Sequence, residues 1–289
     1  MYNTIGRSWV AMGDPIGPAE EWPELLWGFH EICDRYDGWT VFYEIGPEKI
    51  HLYLDLDLSV LKLGEDARIP LETFSLEGGT RKGLRHSLHK LEKEGCTFEV
   101  IIPEGIPLLL PKLKRISDTW LSEKNTREKG FSLGFFNEDY LKRFPAGIVR
   151  KNGKVVAFAN IWLGGEKKEL SIDLMRYNSE APHGVMDYLF TRLILWGKQE
   201  GYRWFSLGMA PLSGLEDRPP APLWNRVGVF IFRHGEHFYN FQGLRQYKEK
   251  FDPIWEPRYL ACPGGLSLPF IFTNLASLIS GGLKGAISK

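Results

Sequence analysis

Asp173 and Arg176 stand three residues apart in Glu169-Leu-Ser-Ile-Asp-Leu-Met-Arg176. A carboxylate can take the proton of an attacking hydroxyl or orient an amine, and a guanidinium matches the geometry of a phosphate. The same two side chains also make an ordinary structural ion pair, so their surroundings have to decide. Leu170, Ile172 and Leu174 alternate with Ser171, Asp173 and Met175, the period of a strand, and a turn cluster from Tyr177 to Gly184 precedes a helix-like run. The pair is therefore expected at the end of a strand beside a loop, where the backbone is held while side chains reach solvent.

A second concentration of charge lies in Thr80 to Gly95, the clearest helix of the chain. Leu84, Leu88 and Leu91 mark one face and Gly95 the stop. The remaining positions carry Arg81, Lys82, Arg85, His86, His89, Lys90 and Lys93, and the only acids, Glu92 and Glu94, fall at the end. Without acidic partners one turn away these cations repel each other, which suits a face that meets phosphates; a solvated charged face is the other reading. Gln242 to Phe251 holds Arg245, Lys248 and Lys250.

The elements that must position these groups run in a mixed order. A strand at Arg7 to Met12 precedes a helix at Trp22 to Tyr36, strands at Thr40 to Ile45 and Lys49 to Leu54, a loop at Lys62 to Ala67 and a strand to Leu71. After the basic helix come a strand at Thr97 to Ile102, a helix at Ile106 to Lys124, a loop at Arg127 to Gly134, and a short helix at Asn137 to Phe144 capped by Asn137. Ala146 to Arg150, Val155 to Leu163 and Lys168 to Leu174 form an antiparallel meander whose first turn is marked by Asn152-Gly153. A helix at Val185 to Glu200 and a strand at Tyr202 to Leu207 follow. Beyond them lie a proline-rich loop at Asp217 to Pro222, a helical run to about Phe232, a strand at Ile254 to Ala261 and an apolar helix at Leu268 to Leu283.

Strands, loop, helix and strand in that order are acyltransferase-like. The expected class is α/β (α+β), a tandem GNAT-like fold with two mixed sheets flanked by helices, its halves at 1–125 and 126–289. An acyl-coenzyme A enzyme of this kind needs a glycine-rich turn whose backbone N–H groups hold pyrophosphate. Here that turn, Tyr177 to Val185, has one glycine and an acid, so the acyl group is expected on a different carrier.

Composition excludes several classes. With 36 basic and 36 acidic residues the chain has no net charge, so a polyanion must be met by a local patch. Cys33, Cys96 and Cys262 lack CxxC spacing, against a zinc site or a disulfide framework and in keeping with a reducing, cytoplasmic setting. Among the seven histidines, His86 and His89 stand three apart and fit the basic face better than a metal. No signal peptide is visible at Met1 to Val10. No apolar run nears the roughly 18 residues of a membrane span; Leu266 to Leu283 comes nearest, interrupted by Pro269, Thr273, Asn274, Ser277 and Ser280.

Seven motifs come in order: Gly13-Asp-Pro-Ile-Gly17, Lys62-Leu-Gly-Glu-Asp-Ala67, Arg81-Lys-Gly-Leu-Arg85, Glu128-Lys-Gly-Phe131, Ser171-Ile-Asp-Leu-Met-Arg176, Leu207-Gly-Met-Ala-Pro-Leu212 and Tyr247-Lys-Glu-Lys-Phe251. Together, from about Gly6 to the C-terminus, they resemble the cytosolic catalytic domain of the bacterial aminoacyl-phosphatidylglycerol synthases, the multiple peptide resistance factors. The resemblance implies transfer of a lysyl or alanyl group from aminoacyl-tRNA to a glycerol hydroxyl of phosphatidylglycerol, with no metal, ATP or other cofactor. It implies work at the cytoplasmic side of the bacterial inner membrane and resistance to cationic antimicrobial peptides. The family's N-terminal transmembrane flippase region is not in this sequence, which fits either an excised domain or a stand-alone version.

By the same resemblance Asp173 is expected as base or as orienting group, Arg176 as ligand of the lipid phosphate, and Lys248 on phosphate or oxyanion. Tyr140 and Glu256 match polar positions of the family's active-site tunnel, and Lys250 and Arg245 join them as substrate-binding candidates. Arg81, Lys82, Arg85, His89 and Lys93 are expected to meet the tRNA acceptor arm. Phe270 to Leu283 rests either in the lipid headgroup region or in the core. The alternatives are a peptidoglycan-type (Fem-like) aminoacyl-tRNA-dependent transferase, and a non-catalytic module binding tRNA or lipid.

Overall fold

A computed structural model describes residues 1–215 and 241–281. The expected proline-rich loop at Asp217 to Pro222, the helical run to Phe232 and the end of the closing helix lie outside the described residues. The strands are β1 (Tyr2–Ile5), β2 (Ser8–Met12), β3 (Trp39–Ile45), β4 (Ser59–Pro70), β5 (Cys96–Ile101), β6 (Ala146–Lys151), β7 (Lys154–Asn160), β8 (Trp162–Leu163), β9 (Glu169–Ser171), β10 (Met175–Tyr177), β11 (Trp204–Pro211) and β12 (Ile254–Cys262). The helices are α1 (Trp22–Arg35), α2 (Ile50–Leu54), α3 (Lys82–Lys93), α4 (Leu110–Glu123), α5 (Glu138–Leu141), α6 (Val185–Gln199), α7 (Phe241–Glu249) and α8 (Leu268–Ile279). This is the mixed α/β class expected from the element order, with two sheets. No helix among the described residues is long and apolar enough to cross a membrane.

The chain divides in space differently from its element order. Among the described residues, one compact unit draws on 1–66, 209–215, 241–247 and 255–281, the other on Ala67–Gly208 and Lys248–Ile254, whereas the halves read from the sequence are consecutive.

In the first unit β2 pairs antiparallel with β1 and parallel with β3, and β3 pairs antiparallel with β12. Leu26 of α1 meets Phe42, Ile45, Tyr53, Leu56, Leu58 and Ala261 in its core. Two sequence expectations are corrected here. Lys49 to Leu54 is the helix α2 and not a strand: a helical turn places Tyr53 edge-on to Phe42, centroids 5.1 Å apart, with its hydroxyl donating to Asp14 Oδ1 at 2.6 Å. That tertiary contact outweighs the local alternation of Ile50, Leu52 and Leu54. Lys62 to Ala67 is not a loop but the middle of β4. Its charges are matched there: Glu65 accepts from Arg245 at 2.5 Å and from Lys62 at 2.9 Å, and Asp66 from Arg258 at 3.1 Å. Gly64 is needed because a Cβ there would lie 2.4 Å from the Ala210 carbonyl oxygen.

In the second unit β5, β6, β7 and β10 form a fully antiparallel sheet in the order β10-β7-β6-β5. Asn152 and Gly153 both take positive φ, 51° and 81°, as the predicted two-residue hairpin requires. The unit also holds β9, parallel to β11 and antiparallel to β8. Helix α4 lays Leu110, Leu113 and Ile116 against Ile148, Phe158 and Leu174, a periodicity legible in the sequence.

Candidate active site

The expected strand through Asp173 and Arg176 is broken. β9 ends at Ser171 and β10 begins at Met175, so residues 172–174 carry the chain from one sheet to the other. The preceding arm changes sheets at Ile161, between β7 and β8. Asn160 ties the two crossings together. Its backbone N–H donates to the Leu174 carbonyl at 3.1 Å, and its Oδ1 accepts from Leu174 N at 2.9 Å and from Asp173 N at 3.4 Å. A side chain thus satisfies amides that a continuous ladder would have paired. Asp173 sits in this break and Arg176 in the following strand, which the alternating pattern could not separate.

Asp173 is held from two sides. The phenol of Tyr140 donates to its Oδ2 at 2.6 Å, and Trp162 Nε1 donates to the Tyr140 oxygen at 2.7 Å. Tyr140 is set by α5, whose cap Asn137 accepts from the Tyr140 amide at 2.8 Å, as the sequence predicted. Burial, and then the bond to Asp173, push the phenol well above its usual range, so it stays a donor. On the other side Gly134 packs against the aspartate: a Cβ there would lie 2.7 Å from Asp173 Cγ and 2.8 Å from its carbonyl carbon and oxygen. Asp173 Oδ1 is buried and accepts no hydrogen bond among the described residues. A buried acceptor left open costs about 1–3 kcal/mol, a cost that a donor on a bound group would relieve.

Arg176 has a different environment. Its guanidinium donates to Glu128 Oε2 at 3.1 Å and to the Met175 carbonyl at 2.9 Å, and lies 4.2 Å from the Trp120 ring centroid. Only 11% of its side chain is exposed. Burial lowers its pKa and Glu128 opposes that shift; the Lys129 ammonium is likewise lowered, by burial first and by the Arg176 charge second. To meet a phosphate, Arg176 would have to leave Glu128. The geometry fits a guanidinium that anchors the start of the segment whose end, Gly134, packs on Asp173.

The other candidates divide between the two units. Lys248 is buried, its Nζ donating to the Gly208 carbonyl at 2.7 Å, and Lys250 donates to Asp187 at 3.2 Å; both belong to the second unit. Arg245 and Glu256 belong to the first. Arg245 pairs with Glu65 and lies 4.1 Å from the Trp255 ring centroid, while Glu256 lies 3.7 Å from Arg258 Nη2.

The basic helix is less uniform than expected. Arg81 is buried, donating to the Lys250 carbonyl at 2.9 Å, and Arg85 donates to the carbonyls of Leu76 and Gly78. The expectation of no acidic partners is corrected. Lys90 pairs with Glu94 at 3.9 Å and His89 with Glu92 at 3.7 Å, because the terminal acids reach back one turn. Lys82, His89 and Lys93 remain exposed.

Sequence reasoning missed Gly134, Asn160 and Trp162. Their roles depend on a strand break and a close backbone approach. The one local signal was Asn160, a polar residue ending the apolar run Val155 to Ala159.

Residues 1–262 match the family described as phosphatidylglycerol lysyltransferase, C-terminal. The phosphatidylglycerol lysyltransferase of Bacillus subtilis (strain 168) is 38% identical over 288 residues, which is 99% of this chain and 33% of that protein. The chain thus spans about a third of the length of the curated relatives it matches. Among solved structures, a C-terminal DUF2156 domain from Agrobacterium fabrum superposes with a TM-score of 0.87 at 43% identity, covering 99% of this chain and 87% of that one. L-PGS from Bacillus licheniformis superposes with a TM-score of 0.83 at 40% identity, covering 96% and 84%.

Proposed function

Because the chain belongs to the family of phosphatidylglycerol lysyltransferase C-terminal domains, we propose that it moves a lysyl group from lysyl-tRNA to a glycerol hydroxyl of phosphatidylglycerol. The observation that carries the proposal is the half-satisfied carboxylate of Asp173, with Oδ2 taken by Tyr140 and Oδ1 buried and open. Oδ1 receives the proton of the attacking lipid hydroxyl. The hydroxyl oxygen bonds to the ester carbonyl carbon, the bond to the tRNA ribose oxygen breaks, and that oxygen leaves with the proton that Asp173 had taken up. One ester replaces another, so no step needs ATP. Lys248 offers positive charge to the developing oxyanion or to the lipid phosphate, while Arg176 acts through Glu128 to hold the wall of the site.

A tRNA donor is supported by the coenzyme A turn missing at Tyr177 to Val185 and by the exposed side chains of Lys82, His89 and Lys93 on α3. The names of the relatives support lysine as the transferred group. The product turns an anionic headgroup cationic, which weakens binding of cationic peptides to the membrane. The domain works at the cytoplasmic face, where charged tRNA is available.

The test is a single-turnover assay of the full chain with labelled lysyl-tRNA and phosphatidylglycerol vesicles, and parallel arms with alanyl-tRNA and with vesicles lacking phosphatidylglycerol. Lysyl transfer that needs phosphatidylglycerol and falls about 10²- to 10⁴-fold in Asp173→Asn supports the proposal. Absence of lysyl-phosphatidylglycerol with the wild-type chain sinks it.

A further inference from the structure

Trp162 is an exposed tryptophan, 40% accessible, on the two-residue strand β8 at the edge of its sheet. Such a residue normally leaves its indole N–H to water. Here the indole lies nearly parallel to Phe144, ring centroids 6.0 Å apart and planes 18° from parallel, and the N–H points inward to the Tyr140 oxygen. Phe144 also packs on the Tyr140 ring, centroids 4.9 Å apart. The three rings form one block beside the carboxylate of Asp173.

The chemistry of the three polar groups allows only one direction. An indole N–H donates and never accepts, a phenol has a single proton, and a carboxylate only accepts. With Trp162 donating at 2.7 Å, the Tyr140 oxygen is an acceptor on that side, so its proton is aimed at Asp173 Oδ2, 2.6 Å away. A donor bound to the phenol oxygen also makes the phenol a stronger donor, because hydrogen bonds in series polarise one another. Without it, the phenol still donates to the carboxylate, but as a weaker donor.

We propose that Trp162 is a positioning residue of the transfer reaction, which through Tyr140 strengthens the hydrogen bond to Asp173 Oδ2 and holds the carboxylate with Oδ1 as its open acceptor. The inference rests on the lysyl-transfer reading only for its kinetic consequence; the hydrogen-bond chain itself is testable without turnover.

Two measurements separate the cases. In the kinetic one, Trp162→Phe keeps the aromatic block and removes the N–H, and it is expected to lower kcat about tenfold, the worth of one hydrogen bond, with KM little changed. Trp162→His, which restores a ring N–H, is expected to recover part of the loss. In a Tyr140→Phe background Trp162→Phe is expected to have no further effect, since the group it acts through is gone. In the spectroscopic one, the chain is labelled with ¹⁵N at tryptophan and the Trp162 indole resonance is identified by its loss in Trp162→Phe. That resonance is expected to move upfield in Tyr140→Phe. Overturning results are an unchanged kcat in Trp162→Phe, an equal loss in both backgrounds, or an indole resonance indifferent to Tyr140→Phe. If the wild-type chain transfers no lysine, the functional reading fails while the resonance still decides whether the Trp162 to Tyr140 bond exists.

Discussion

Arg176 and Glu128 form a largely buried ion pair at 3.1 Å, with the guanidinium laid over the Trp120 ring. Removing one partner of such a pair leaves the other uncompensated, at a cost of about 3–5 kcal/mol. Arg176→Ala is therefore expected to lower the urea midpoint strongly, and Glu128→Gln by less, because an amide can still accept from the guanidinium. The KM for phosphatidylglycerol in vesicles should stay near the wild-type value in the folded protein. A large rise in that KM with an unchanged urea midpoint would mean that Arg176 binds the lipid phosphate instead.

Gly134 touches Asp173 so closely that a single methyl group overlaps both its side chain and its backbone. Gly134→Ala has to displace the aspartate or the wall, and overpacking of this kind costs about 1–3 kcal/mol. The expected outcome is a modest fall in melting temperature with a disproportionate fall in kcat. Loss of stability without loss of kcat in the folded fraction would show that the wall does not position Asp173.

The exposed basic side chains of α3 and the buried Arg81 at its start should behave differently in salt. Replacing Lys82, His89 and Lys93 together with alanine is expected to raise the KM for lysyl-tRNA and to flatten its dependence on salt, by roughly 0.7–0.9 in log–log slope for each phosphate no longer neutralised. Arg81→Ala is expected to destabilise the fold and leave the slope unchanged, since Arg81 is bound to the Lys250 carbonyl. Equal slopes for the triple variant and the wild type would remove α3 from the tRNA interface.

Glu65 provides a pH test. Burial raises its carboxyl pKa, but the hydrogen bonds and charges of Arg245 and Lys62 outweigh burial and leave it below the ordinary value of 4.5. A carboxyl depressed in the folded state stabilises the protein above its unfolded pKa, and this contribution fades as pH falls through the folded value. Denaturant midpoints should therefore begin to drop once pH falls to the ordinary carboxyl value of 4.5, and the drop should shrink in Glu65→Gln. An identical acid limb in the variant would show that other carboxylates carry it.

Most of the scaffold was legible before any coordinates. Helices α1, α3 and α4 announced themselves by apolar residues three and four apart, and the β6 to β7 hairpin by Asn152-Gly153, since helix faces and tight turns are encoded locally. What local pattern could not show is where a strand stops pairing with one sheet and joins another. Leu170 to Leu174 alternates cleanly, yet its last three residues leave the ladder because of a partner at Asn160. Lys62 to Ala67 failed for the opposite reason, its charges reading as a loop although distant arginines neutralise them within a strand. The candidate site divides likewise. Asp173 and Tyr140 came from motif and resemblance, while Gly134 and Trp162 contribute through backbone proximity and one N–H, neither of which leaves a pattern in the chain.

The grip of Asn160 on the crossing strand has a consequence for substitution at that position. Its side chain must be short enough to reach the amides of Asp173 and Leu174, must end in an acceptor, and is almost completely enclosed. Serine offers a shorter reach, glutamine is a methylene too long, and aspartate supplies the acceptor but places a second carboxylate beside Asp173. A library randomised at codon 160 and selected for folded protein alone should already converge on asparagine. Codon 162, on an exposed edge, should stay diverse under that selection and narrow to tryptophan and its N–H donating substitutes only when transfer is selected.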